Sequence, residues 1–131
     1  MPRTVITFGT FDVFHVGHLR VIERAAAQGD RLVVGVSSDA LNLSKKGREP
    51  VFSQSERIEI VSALKPVDEV FVEESLELKR DYVVGHGADV LVMGDDWAGK
   101  FDELSDVCEV VYLERTPAIS TTAIIEHIAD L

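Results

Sequence analysis

The stretch Thr4-Val5-Ile6-Thr7-Phe8-Gly9-Thr10-Phe11-Asp12-Val13-Phe14-His15-Val16-Gly17-His18 decides how this chain folds. Its first five residues form a β-branched and aromatic run that predicts a strand. Two glycines, an aspartate and two imidazoles follow. Beyond them Leu19, Ile22, Ala25 and Ala26 recur at the spacing of a helix's buried face, and Gly29 stands where a C-terminal cap would sit. A strand that runs through a short turn into a helix is the opening half of a βαβ unit.

The same alternation continues outward. Arg31 to Val36, Glu69 to Val72, Val90 to Met93 and Glu109 to Leu113 read as further strands. Continuous apolar runs such as Val90-Leu91-Val92-Met93 suit strands covered on both faces, as in a parallel sheet. Ser53 with Glu56 three positions later makes a capping-box pattern ahead of Ile58, Val61 and Leu64, with Pro66 to end that helix. Leu76 to Val84 and Asp102 to Val107 are weaker helical segments. Ser120 is placed to cap a last helix with an apolar face of Ile124, Ile128 and Leu131. No linker or repeat interrupts the chain, so residues 1–131 read as one domain. Its expected architecture is a doubly wound α/β sheet of about five parallel strands, with ligands bound beyond the strands' carboxyl ends.

The 131 residues are 46% hydrophobic and 27% charged, enough for one core without disulfides. Cys108 is the one cysteine, so no internal disulfide forms. With no secretory signal and no apolar run near about 18 residues, an intracellular, cytoplasmic, non-membrane protein is expected. The formal charge of −10 argues against nucleic acid as a partner. That charge is uneven, however. Residues 1–67 carry 9 basic and 7 acidic side chains, whereas residues 68–131 carry 4 and 16. The first half holds His15, His18, Lys45, Lys46, Arg48, Arg57 and Lys65, all candidates for one phosphate-facing mouth. The acidic excess is then expected on surfaces away from it.

His15 and His18, with Gly17 between them, bring ring nitrogens and backbone N–H groups together at a helix N-terminus, which is an anion site by geometry and dipole. A metal pair would need further ligands, and the only thiol is far off. A plain capping role is the other reading. The ordered strand, turn, glycines and pair favour phosphate, although neither a dinucleotide fingerprint nor a P-loop is present. Asp95, Asp96 and Trp97 follow the fourth strand. They suit either a solvated acidic turn with Trp97 packed on the sheet edge or a pocket in which a carboxylate or carbonyl accepts from a ligand's amino group. Ser120, Thr121 and Thr122 open the last helix, where hydroxyls and free N–H groups can hold phosphate oxygens with Arg115 forking onto them, or can simply cap the helix. Lys45 and Lys46 read equally as a solvated loop.

Gly9-Thr10-Phe11-Asp12 followed by His15-Val16-Gly17-His18 resembles the signature of the cytidylyltransferase group of nucleotidyltransferases. Gly94-Asp95-Asp96-Trp97 and Arg115-Thr116-Pro117-Ala118-Ile119-Ser120-Thr121-Thr122 are similar to segments of glycerol-3-phosphate cytidylyltransferases. The likeness covers essentially the whole chain. It implies a Rossmann-like fold of the nucleotidyltransferase type, a homodimer, Mg2+ carried mainly by the triphosphate, and transfer of CMP from CTP to sn-glycerol 3-phosphate. Catalysis would fall to His15, His18, Lys45 and Arg115. Nucleotide contacts would come from Gly9, Thr10, Phe11, Asp12, Gly17, Lys65, Gly94, Asp95, Thr116, Ile119, Ser120, Thr121 and Thr122 besides the catalytic His15, His18 and Arg115. Acceptor contacts would come from Lys45, Arg57 and Lys79, and Asp12 is a possible metal ligand.

Three departures stand out. Lys65 occupies a position where an arginine is common, keeping the charge without the bidentate fork. Pro117-Ala118 replaces a common Glu-Gly, and Leu76 stands where the glycerol enzymes often carry a tryptophan. Other phosphorylated alcohols (ribitol, choline or ethanolamine phosphate) are the alternative acceptors, and a non-catalytic nucleotide-binding protein is the alternative class.

Overall fold

In a computed structural model that describes residues 2–114 and 120–131, five strands make one parallel sheet. They are β1 (Thr4–Gly9), β2 (Arg31–Ser37), β3 (Glu69–Glu73), β4 (Val90–Gly94) and β5 (Glu109–Leu113), in the order β3-β2-β1-β4-β5. Between them run α1 (Val16–Ala26), α2 (Asp39–Lys46), α3 (Gln54–Ser62) and α4 (Lys79–Gly85), and α5 (Thr121–Ala129) closes the chain.

The apolar strand runs are explained by burial on both faces. Val5, Leu32, Val34, Val36, Val90 and Val92 pack with Ile22 and Ala25 of α1 and Val61 of α3. Their neighbours Ile6, Val33, Leu91 and Met93 point to the other face and pack with Val83 of α4, Phe101 and Leu104. Each such side chain removed from water contributes about 1.5–3 kcal/mol. The doubly wound, Rossmann-like sheet expected from the sequence is therefore what forms. Register is tight, with Thr4 to Gly9 of β1 beside Arg31 to Val36 of β2 and Val5 to Thr7 beside Val90 to Val92 of β4. The chain steps outward from β1 to β3 and then crosses back to lay β4 against β1. The carboxyl ends of β1 and β4 thus mark the point where strand order reverses, the crevice such sheets use for ligands.

Local outcomes differ from expectation in instructive places. α1 ends on Ala27 in a right-handed conformation, so Gly29 is not its cap. A Cβ at Gly29 would fall 2.5 Å from the Arg3 carbonyl oxygen and 2.7 Å from a Val5 methyl, and close approach is what requires glycine there. The capping box of Ser53 and Glu56 forms as read, but α3 ends at Ser62, ahead of Pro66. The helical segment read over Leu76 to Val84 opens as a 3-10 turn at Leu76–Leu78 and continues as α4, whereas Asp102–Asp106 stays a 3-10 turn. α2 is a helix the pattern did not announce: Ser38 caps it, and Gly47 ends it at φ 74°. Ser120 caps α5, yet the expected apolar face is not covered, because Ile128 and Leu131 are exposed. Among the described residues no helix is long and apolar enough to cross a membrane.

Candidate active site

The loop after β1 is strained. Phe11 and Val13 lie at φ 55° and 48°, the left-handed region that side chains, β-branched ones above all, avoid. Such positions cost about 1–3 kcal/mol each and persist only where neighbours over-determine them. Asp12 supplies much of that determination. One carboxylate oxygen accepts from the Val13 and Phe52 amides at 3.0 and 2.8 Å, and the other accepts from the Val51 amide at 2.8 Å. Gly9 leaves room for the Phe11 ring, since a Cβ there would lie 2.8 Å from it and force the ring to shift.

This loop delivers His15 to the N-cap of α1. The Nδ1 of His15 accepts from the Gly17 amide at 3.0 Å, and the Nδ1 of His18 accepts from the His15 amide at 3.2 Å. The rings lie 3.9 Å apart. Burial lowers the pKa of both. His18 drops to about 4, driven first by desolvation and then by repulsion from His15, with Asp12 opposing. Both rings are therefore neutral near pH 7. A neutral ring that accepts at Nδ1 carries its proton on Nε2. The two Nε2–H groups converge on one atom, the hydroxyl oxygen of Thr121, 3.3 Å from His15 and 3.5 Å from His18, while that hydroxyl donates to the Asp12 carbonyl at 3.2 Å. Two donors aimed at a single oxygen beside the N-terminus of α5 form a ready place for a phosphate oxygen.

The surrounding space divides into three adjoining cavities with Asp96 on the wall of each. One, of about 410 Å³, has Gly9, Thr10, Phe11, Asp12, His18, Lys46, Arg48, Gly94, Trp97, Thr121 and Thr122 among its walls. A second, of about 320 Å³, is bounded by His15, Gly17, His18, Gly94, Asp95, Ser120 and Thr121. The third, of about 220 Å³, is lined by Lys45, Lys46, Glu73, Leu76 and Lys79. Lys45 thus stands at the mouth, at the end of the unannounced helix α2, its pKa lowered by burial against a partly offsetting Glu73. Thr10 is set by Asn42 and Ser37, since its hydroxyl bonds the Asn42 side chain at 3.0 Å and accepts from Ser37 at 3.2 Å. The buried Asn42, Ser37 and Glu73 are the site's additions, and Asp96, read from the sequence beside Asp95, proves to line all three cavities. Asn42 had no signal of its own, because the helix that carries it was not legible in the sequence.

Three expectations change. Arg57 is 0% exposed, and its guanidinium is spent on the carbonyls of Phe52, Thr10 and Ser37 and on Asp39. It braces the two loops that carry the site and is not aimed at an acceptor. Lys65 lies exposed in the turn that feeds the amino end of β3, whereas the His pair follows the carboxyl end of β1. Because the strands are parallel, the sheet separates Lys65 from the nucleotide residues of its own chain. Asp12, expected as a nucleotide contact and possible metal ligand, proves also to organise the loop, with three backbone amides on its two oxygens. Arg115, Thr116, Pro117, Ala118 and Ile119 lie outside the described residues.

The sequence profile of the cytidylyltransferase-like family matches residues 6–127, which takes in every element of this site. The chain belongs to the cytidylyltransferase-like family. It is 50% identical over 129 residues to the glycerol-3-phosphate cytidylyltransferase of Bacillus subtilis strain 168, covering 98% of this chain and 99% of that protein. It is 42% identical over 122 residues to the enzyme of that name from Staphylococcus aureus strain NCTC 8325, covering 93% and 92%. In fold it is similar to the lipopolysaccharide core biosynthesis protein of Thermoplasma volcanium GSS1, with a TM-score of 0.74, 24% identity, and coverage of 88% and 99%. The chain thus gathers two neutral imidazole N–H donors, a helix N-terminus and cationic lysines around one mouth, an array suited to holding phosphate charge without moving a proton.

Proposed function

We propose that this protein transfers the cytidylyl group of CTP to sn-glycerol 3-phosphate, giving CDP-glycerol and pyrophosphate. The convergence of the two Nε2–H groups on one oxygen position carries the reading, supported by the names of the relatives that match over nearly their full length.

A phosphate monoester has a second pKa near about 6, so the acceptor is largely dianionic at pH 7 and needs no general base. One of its oxygens attacks the α-phosphorus in line. The bond from that phosphorus to the bridging oxygen breaks, and pyrophosphate leaves with the electron pair. His15 and His18 donate to the α-phosphate and bridging oxygens as charge builds, taking the place that the Thr121 hydroxyl fills before the nucleotide arrives. Thr10, Ser120 and Thr122 hold the remaining phosphate oxygens, with Arg115 joining them on the strength of the sequence resemblance. Gly94 and Asp95 receive the cytosine edge. Lys45 and Lys79 attract the acceptor phosphate. Mg2+ enters as part of the substrate, the MgCTP complex, in keeping with its preference for phosphates and water. The resemblance also implies a cytoplasmic homodimer, which sedimentation of the purified chain would test.

The decisive experiment mixes the protein with CTP and Mg2+ and follows pyrophosphate against a panel of glycerol, ribitol, choline and ethanolamine phosphates. Pyrophosphate and CDP-glycerol form with glycerol 3-phosphate. Tight CTP binding without pyrophosphate for any acceptor would show a nucleotide-binding protein instead.

A further inference from the structure

Glu73 ends β3 with its side chain almost wholly buried, and the turn through Leu76–Leu78 brings Lys79 back to it at 2.5 Å. The Lys79 ammonium also lies 3.7 Å over the Phe8 ring. Taking two charges out of water costs several kcal/mol each, and their attraction offsets this only in good geometry, so such a pair is weak evidence for a purely stabilising role. Both members line the cavity of about 220 Å³ that Lys45 and Lys46 also face.

The carboxylate's two oxygens differ. Oε2 is held by Lys79, while Oε1 has no hydrogen-bond partner among the described residues. No side-chain oxygen or nitrogen there is both sealed from solvent and without a partner. Oε1 is therefore open, and the cavity that Glu73 lines is the opening. A carboxylate oxygen in that position accepts hydrogen bonds and donates none.

On the reading of the site as a nucleotidyltransferase, we propose that Glu73 is the specificity-determining residue for the acceptor: its cavity-facing oxygen accepts from the hydroxyls of a small phosphorylated polyol whose phosphate is held by the lysines. The pair with Lys79 is neutral, so it offers a hydroxyl an acceptor without offering an amino alcohol's cation an uncompensated charge. The cavity is below the range of about 300–1,000 Å³ typical for drug-sized ligands, which suits a short polyol.

The test compares glycerol 3-phosphate with n-propyl phosphate, which keeps the phosphate and carbon chain and lacks both hydroxyls. Wild-type kcat/KM should favour glycerol 3-phosphate by about 100-fold or more, since a site built to bond a hydroxyl rejects its deoxy analogue strongly. Glu73→Gln keeps an oxygen for Lys79 and turns a donor toward the cavity. It should cut that preference at least about tenfold while leaving the KM for CTP within about twofold. Should the single variant fail to fold, Glu73→Met with Lys79→Met replaces the pair by side chains of similar volume, a change often neutral for stability, and the ratio should fall in the same way. A folded variant of either kind that keeps the wild-type ratio overturns the assignment. Calorimetric binding of both acceptors in the presence of a CTP analogue with a methylene α–β bridge separates the two levels. A binding preference without pyrophosphate release overturns the transfer reaction and keeps Glu73's role. Equal binding of the two acceptors removes Glu73 whatever the chemistry.

Discussion

The His15 amide donates to the His18 ring at Nδ1, 3.2 Å away, so the residue that caps α1 is itself held by the ring it stacks upon. Each imidazole thereby divides its labour: Nδ1 serves the backbone and Nε2 faces the mouth. Two amides mimic these halves separately. His18→Asn offers an oxygen near the Nδ1 position and nothing at Nε2, so it should keep most of the stability and lose about 10²–10³ in kcat, the loss expected for one preorganised donor. His18→Gln places its amide near Nε2 and abandons the cap, so it should retain more activity and unfold at lower urea. Pyrophosphate release and urea midpoints measured side by side check the crossing pattern. Two variants falling equally in both would refute the division.

The low pKa of His18, about 4 against 6.5 for a free imidazole, has a consequence for stability. Above pH 6.5 the ring is neutral whether the chain is folded or not. Between 6.5 and about 4 the unfolded chain takes up a proton that the native ring refuses, so stability falls as pH drops through that window and levels off below it. At about 1.4 kcal/mol per pH unit the effect reaches on the order of 3 kcal/mol at most. Urea unfolding at pH 7.5 and pH 4.5 should show a larger acid loss for wild type than for His18→Asn. NMR titration of the ring should find it neutral well below pH 6.

How much of this was legible before the structure depends on what each residue's pattern reports. Val90 to Met93 and Leu32 to Val36 are apolar because both sheet faces are covered, and burial of that kind leaves a continuous signature. α2 left almost none, because only Leu41 and Asn42 of its residues are buried and the rest read as loop. The spacing of His15 and His18 was visible, but not which nitrogen faces the mouth, since that is settled by amides of the same turn. Charge is the least legible feature. Arg57 and Lys65 look alike in sequence, yet one is sealed among carbonyls and the other sits at the far end of the sheet. Glu73 was silent for the same reason, as a carboxylate at a strand end usually meets water.

Arg57 ties the loop after β1 to the carboxyl end of β2 through Thr10 and Ser37, and to α2 through Asp39 at 2.7 Å. Lysine cannot reproduce that fork. Arg57→Met takes the donor from the carbonyls of Phe52, Thr10 and Ser37 and should cost about 3–5 kcal/mol, at about 1–3 kcal/mol for each buried acceptor left unsatisfied; Arg57→Lys, which keeps the charge but not the fork, should cost less, and both losses should appear in protein without substrate. Chemical denaturation reads this directly. A variant with an unchanged midpoint and a raised acceptor KM would return Arg57 to the substrate.

Asp12 offers the sharpest separation between a structural and a metal-binding carboxylate. Its oxygens satisfy the amides of Val13, Val51 and Phe52, two of them across a gap of about forty residues, and its carbonyl receives the Thr121 hydroxyl. Asp12→Asn keeps one acceptor and turns an amide N–H₂ toward an N–H that needs an acceptor. Leaving that donor unsatisfied costs about 1–3 kcal/mol, and with it goes the restraint on the strained turn that aims both histidines. Stability and kcat should therefore fall together, with the Mg2+ concentration for half-maximal rate unchanged. A metal ligand would behave otherwise: the Mg2+ requirement would rise, and high Mg2+ would restore the rate while leaving the stability loss behind. Titrating Mg2+ at saturating CTP in wild type and variant distinguishes the two, because a loop that has lost its brace is not rebuilt by a cation it does not bind.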